Sequence, residues 1–186
     1  MTRSFSRFLE DSVLETPRLV LRPMRAGDVD DLLGVFGDPR VMAAFDEPPF
    51  DRARMERWVR RNLDHQAHDG YGLFTLVRKS DGIVVGDCGL ERMDEGGIVQ
   101  AELGYDLRAD CWGRGLATEA AAAVRDHAFT ALGLPRLISL VQVGNLASRR
   151  VAEKIGMRLD AEVTRHGRRY WLMSLDAPGT VAAAPG

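Results

Sequence analysis

The sequence predicts a single α+β domain, a mixed β-sheet with helices packed against it. Three observations carry this. The chain has 186 residues, 45% of them hydrophobic and 28% charged, enough to bury one core without disulfide or metal staples. Three segments between Tyr71 and Arg108 follow one another with period-two alternation, so strands pair there in succession. After Cys111 the order changes to helix, strand, helix, strand, strand. Consecutive strands followed by alternating elements mark a mixed sheet rather than a doubly wound parallel one.

The elements follow in order. Residues 1–15 are polar and irregular and read as an arm; the domain spans 16–176, and 177–186 read as a disordered tail. TPRLVLRPM is a short strand closed by Pro23. Asp28 caps the helix VDDLLGVFG, which stops at Gly37. DPRVMAAF is a short helix or turn, and the adjacent prolines of DEPPF make a loop. Asp51 caps the next helix, whose Met55, Trp58, Val59 and Leu63 keep helical spacing on one face with arginines opposite.

YGLFTLVRK and IVVGDCGLE form a hairpin about the turn SDG. RMDEGG reads as a loop, and IVQAELGYDLR as the next strand. The stretch CWGRGLATEA opens a long alanine-rich helix, Leu116 to Leu132, able to lie close to a sheet. GLPRLISLVQV gives a strand, and the helix from Ala147 to Ile155 ends at Gly156. EVTRHGRRYWLMSL is a closing hairpin with His-Gly at its turn.

Composition narrows the function. A net charge of -2 gives no bulk electrostatic case for nucleic acid, and the basic runs RARMERWVRR and RHGRR read as a solvated helix face and a solvated hairpin. No apolar run reaches the length of a membrane span, and the first residues carry no apolar signal core, so a cytoplasmic protein is expected. The two cysteines, Cys88 and Cys111, form no CxxC pair or framework, which fits a reducing compartment. Cys111 precedes a helix, where a thiolate is stabilised, but nothing marks a partner histidine for nucleophilic catalysis. His65 and His68 lie one helical turn apart beside Asp64. On a charged helix such a pair is ordinarily solvated, and no metal is expected.

The glycine-rich stretch is the chemical signal. A Walker loop requires Gly-Lys-Ser/Thr, and Gly115 is followed by Leu116. The dinucleotide fingerprint wants a third glycine where Thr118 stands, and an acid in the strand LISLVQV, which has none. The order W-G-R-G-L-A, long alanine-rich helix, strand, then N-x-x-S-x-x-x-x-x-K-x-G resembles the GNAT superfamily of acyl-CoA-dependent N-acetyltransferases. Gly115 and Ala117 fill the last two places of that superfamily's Q/R-x-x-G-x-G/A loop. Trp112 replaces the usual Gln or Arg. With AELGYDL before the loop, NLASRRVAEKIGM after it and TPRLVLRPM near the start, this departure resembles the RimJ/RimL-type branch.

That resemblance implies a mostly antiparallel sheet splayed between its fourth and fifth strands, with acetyl-CoA as co-substrate. Trp112, Gly113, Arg114, Gly115, Leu116, Ala117 and Thr118 would hold the pyrophosphate. Physics agrees, since the first N–H groups of a helix lack internal partners and attract anions. The resemblance places pantetheine along Tyr105, Asp106 and Leu107, with the Leu107 N–H polarising the thioester carbonyl, and Asn145 on the pantetheine arm. Asn145 alternatively caps the following helix.

The superfamily's tyrosine acid is absent, because Ala152 occupies its position. Ser148 is the branch's substitute, or else a second cap of the same helix. Glu91 and Glu102 are the candidate bases, Glu91 favoured by similarity to the branch. The acceptor is a primary amine. An α-amine, with pKa about 7.7–8.0 against about 10.4 for lysine, needs less basic assistance, so a protein N-terminus or an amino-acid-like amine is favoured. A non-catalytic acyl-CoA-binding module is the alternative, and a homodimer is left open.

Overall fold

In the computed structural model the described residues are 13–95 and 98–179. Most of the arm and of the tail lies outside them. Two residues assigned to the arm, Leu14–Glu15, instead form β1, paired with Leu21 and Val20 of β2 (Leu19–Pro23). Then come α1 (Val29–Phe36), α2 (Pro39–Met42), α3 (Arg52–Asp69), β3 (Leu73–Arg78), β4 (Val84–Glu95), β5 (Ile98–Leu107), α4 (Leu116–Thr130), β6 (Arg136–Gln142), α5 (Leu146–Lys154), β7 (Arg158–Arg165) and β8 (Arg168–Asp176). The strands form one sheet in the order β1-β2-β3-β4-β5-β6-β8-β7, antiparallel throughout except at β5·β6.

The β5·β6 junction positions everything that follows. Its parallel pairing is confined to Ala101↔Leu137 and Glu102↔Ile138. Beyond Glu102 the strands diverge, and among the described residues no strand pairs with Leu103–Leu107 on that side. The splay sits where the resemblance implied it, between the fourth and fifth long strands.

Helices cover both faces. On one, α4 presents Ala120, Ala121, Val124 and Ala128, all fully buried, so alanine lets the helix approach Leu90, Leu103 and Leu137. On the other, Leu32, Val35 and Phe36 of α1 and Met55 and Val59 of α3 close over Met24 and Leu73. Phe36 stacks on Phe50, ring centroids 5.3 Å apart, and lies 4.9 Å from Trp58.

Two elements depart from expectation. Arg92–Glu95, read as loop, continue β4 and pair with Ile98–Ala101. The polar alternation Arg-Met-Asp-Glu hides a strand that buries only Met93 at that end. Asp28 stands before α1 but turns inward instead of capping. Its carboxylate accepts bonds from Arg22 (2.8 and 2.7 Å), Thr75 Oγ1 (2.7 Å) and the Arg25 N–H (2.9 Å). The closing hairpin turns at His166 and Gly167, both at positive φ (49° and 78°), as a two-residue turn requires.

Candidate functional site

The glycine stretch forms a cradle at the start of α4. Gly113 (φ 72°) and Gly115 (φ 77°) are both left-handed, a conformation open to glycine and strained for other residues. A Cβ at Gly113 would meet nothing within 4 Å, and at Gly115 only an Arg18 nitrogen at 3.6 Å. The cradle is therefore open space beside the unpaired first N–H groups of a helix, and it fits a pyrophosphate. The Leu116 side chain is buried in the core, so it offers the cradle only its backbone. Ala117 and Thr118 are half-buried in the first turn, and the Arg114 side chain is exposed.

A clamp absent from the sequence reading fixes this helix start. Arg18 on the approach to β2 donates from Nε to Glu119 Oε2 (2.7 Å), from its backbone N–H to Oε1 (2.8 Å), and from Nη1 to the Arg114 carbonyl (2.8 Å). Thr16 Oγ1 also donates to Glu119 (2.5 Å). Glu119 in a first helical turn is a legible signal; its partners a hundred positions away are not.

Trp112 is exposed, and its indole N–H donates to the Leu107 carbonyl (2.9 Å), tying the loop to the end of β5. Burial pushes the Cys111 thiol up, so it is not held as a thiolate, and both cysteines are free and buried.

Backbone alternation decides which groups of β5 face the splay. The Arg108 N–H bonds to the Val85 carbonyl (2.9 Å). In an antiparallel ladder bonded and unbonded pairs alternate. Asp106, opposite Asp87, therefore spends its N–H and C=O on β4, while Tyr105 and Leu107 direct theirs toward β6. Of the three expected pantetheine positions, Tyr105 can offer both its backbone groups and Leu107 its N–H, the Leu107 carbonyl being taken by the Trp112 indole. The Asp106 side chain lies on the opposite course, buried beside Asp87; burial and the nearby Glu91 raise its carboxyl. Asp87 is raised as well, by burial, Asp106 and Glu91.

Glu91 and Glu102 are direct cross-strand partners on the same face as Asp87 and Asp106. Their surroundings differ. Glu102 reaches across the apex of the splay and accepts the Leu140 N–H of β6 at 3.2 Å. Burial pushes its carboxyl up to about 7; the Leu140 bond opposes this, Glu91 adds to it and Arg165 opposes it. Glu91 is 34% exposed at its side chain, with Arg61 Nη2 at 3.8 Å and His65 Nδ1 at 3.9 Å. Leu107 lies five residues beyond Glu102, roughly 17 Å along an extended strand. The Tyr105 N–H, three residues along, is nearer the carboxylates than the Leu107 N–H.

Past the far end of β6, Asn145 Oδ1 accepts the Ser148 N–H (3.0 Å) and caps α5. Its amide N–H₂ is left for other partners. Ser148 is not a second cap. Its Oγ–H donates to Tyr105 Oη (3.2 Å), and the Tyr105 hydroxyl donates to the Ser148 carbonyl (2.8 Å). Burial, first among its causes, pushes the Tyr105 hydroxyl up to about 12, so it stays protonated. The expected site residues thus fall around one splay: the cradle at one end, Ser148 and Asn145 on its α5 side, the carboxylates at its apex.

His65 and His68 hold no metal arrangement. His68 Nδ1–H donates to the Asp64 carbonyl (2.7 Å), and among the described residues no group of His, Cys, Asp and Glu is placed to hold a metal ion. No described helix is long and apolar enough to cross a membrane.

Known proteins resemble this chain in sequence and fold. The family model described as an acetyltransferase (GNAT) domain matches residues 18–158. The N-acetyltransferase p20 of Bacillus licheniformis is 34% identical over 137 residues, 73% of this chain and 76% of its own length. The crystal structure of an acetyltransferase from Agrobacterium tumefaciens str. C58 superposes with TM-score 0.75 at 31% identity, covering 88% of this chain and 94% of that one. RimL, a ribosomal L7/L12 alpha-N-protein acetyltransferase solved with coenzyme A, has TM-score 0.76 at 16% identity over 91% of this chain and 100% of that one, a likeness of fold. The protein belongs to the GNAT family of acetyltransferases.

Proposed function

We propose that the protein transfers the acetyl group of acetyl-CoA to a primary amine, a protein N-terminal α-amine or an amino-acid-like one, as a RimJ/RimL-type enzyme in the cytoplasm. The observation that carries this is the splay with Glu102 across its apex and the two left-handed glycines at its mouth. Free, buried cysteines suit a reducing compartment.

Acetyl-CoA supplies an activated thioester. Gly113, Gly115 and the first N–H groups of α4 hold its pyrophosphate, and the Asn145 amide and the Tyr105 and Leu107 backbones hold the pantetheine arm. The Tyr105 N–H, nearer the carboxylates than the Leu107 N–H, is the better oxyanion donor. Glu102 takes the amine proton: a base titrating near the working pH combines availability with driving force. Glu91, in reach of the outer cavity, guides the incoming ammonium. Ser148 returns a proton to the leaving thiolate, its hydroxyl oriented by Tyr105.

Thiol release from acetyl-CoA across a panel of peptides and small amines tests this reading. Amine-dependent, saturable release supports it. Release that no amine raises above hydrolysis removes it.

A further inference from the structure

The basic run on α3 is not merely a solvated face. Arg54, Arg57 and Arg61 line a cavity of about 430 Å³ whose other wall is Phe45, Phe50 and Trp58. The cavity meets the transfer site at Arg61, which lies 3.8 Å from Glu91. Its outer edge is held by the β7–β8 hairpin, where Arg168 donates to the carbonyls of Phe45 (2.7 Å) and Asp46 (2.9 Å).

The charges in it do not cancel. Arg54 is paired with Glu47 and lies over the Phe50 ring, 3.9 Å from its centroid. Arg168 also approaches Glu47, at 3.5 Å. Among the described residues Arg61 has only the long contact to Glu91. Arg57 has no ion pair or hydrogen bond among the described residues. Guanidinium groups on an apolar wall are weakly hydrated and match a carboxylate fork.

We propose that this cavity binds a carboxylate carried by the acceptor close to its reactive amine. The inference rests on the acetyl-transfer reading above. Arg57 and Arg61 are four residues apart, about 6 Å along the helix. Glu91 attracts the ammonium, and Arg57 and Arg61, which line the cavity together, receive the carboxylate. The carboxylate is either the α-carboxylate of a free amino acid or an acidic side chain at the second residue of a peptide.

The test is kcat/KM for matched acceptors: amino acids against their amides, and the tripeptide amide Ala-Asp-Ala against Ala-Asn-Ala. The wild type is expected to favour the acidic member by about tenfold or more, as for a charge-assisted contact. Arg57→Gln should bring that ratio near one, and Arg57→Glu should invert it. Arg57 is exposed and unpaired, so neither change disturbs the core; Arg61→Gln gives an independent second reading. Preference confined to amino acids assigns the α-carboxylate, and preference confined to peptides assigns the acidic second residue. Amines acetylated without regard to the carboxylate, or a ratio unmoved by Arg57→Glu, would overturn the inference and leave acetyl transfer standing. If no amine is acetylated, the transfer reading itself falls, and this inference with it.

Discussion

Replacing Glu102 with Gln should stabilise the protein at high pH while impairing it as an enzyme. The carboxyl titrates near 7 in the folded protein, against an ordinary value of 4.5, chiefly because it is buried. Between those values the folded state holds the proton and the unfolded chain has lost it. Stability contributed at this site therefore falls as pH rises from about 4.5 to about 7. The full difference, at about 1.4 kcal/mol per pH unit, is roughly 3 kcal/mol. Gln keeps an oxygen to accept the Leu140 N–H, so that bond survives.

Urea unfolding of both proteins from pH 5 to 9 reads this out. The variant's advantage should be under about 1 kcal/mol at pH 5 and grow to about 2–3 kcal/mol at pH 8. Turnover should move oppositely. Wild-type kcat/KM should rise through about pH 7, and the variant should lose on the order of 10²-fold there, less at pH 9, where an α-amine is already neutral. A stability difference that does not change with pH, together with undiminished turnover, would refute the reasoning.

Other substitutions separate the remaining roles. Gly115→Glu puts a side chain on a left-handed backbone and a negative charge in the cradle, so coenzyme A affinity should collapse in a calorimetric titration while circular dichroism stays native; unchanged affinity would rule the cradle out. Ser148→Ala should lower kcat by about a hundredfold, the low end for acid catalysis because thiolate leaves readily. It should leave the melting temperature nearly unaltered, since Asn145 supplies the cap; an unaltered kcat would deny Ser148 its role. Arg168→Ala frees the turn at Phe45–Asp46 and should raise the KM of the amine without altering that of acetyl-CoA, as measured by steady-state kinetics.

What the sequence shows and what it hides divide along local and long-range physics. The glycine loop, the alanine face of α4, the His-Gly turn and the Asn145 cap are each written within a few residues. The splay is not. It depends on a parallel pairing that stops after two residues, and nothing local in AELGYDL or LISLVQV announces where pairing ends. The same holds for the base. Glu91 and Glu102 look alike as strand carboxylates, and only the fold buries one and leaves the other beside Arg61 and His65. Ser148 could be placed in the first turn of a helix, yet its partner, Tyr105, comes from 43 residues away. The arginines of α3 were legible as a helix face; that the face borders a cavity was not.

The most direct measurement is to find where the acetyl group lands. A peptide carrying a free N-terminal α-amine and an internal lysine, incubated with acetyl-CoA and the enzyme, should be acetylated at the α-amine, as fragmentation mass spectrometry would show. The α-amine is substantially neutral near pH 8 while the lysine amine is still protonated, so Glu102 has far less to do at the α-amine. Acetyl found on the lysine, or on neither amine while thiol is still released, would contradict the account.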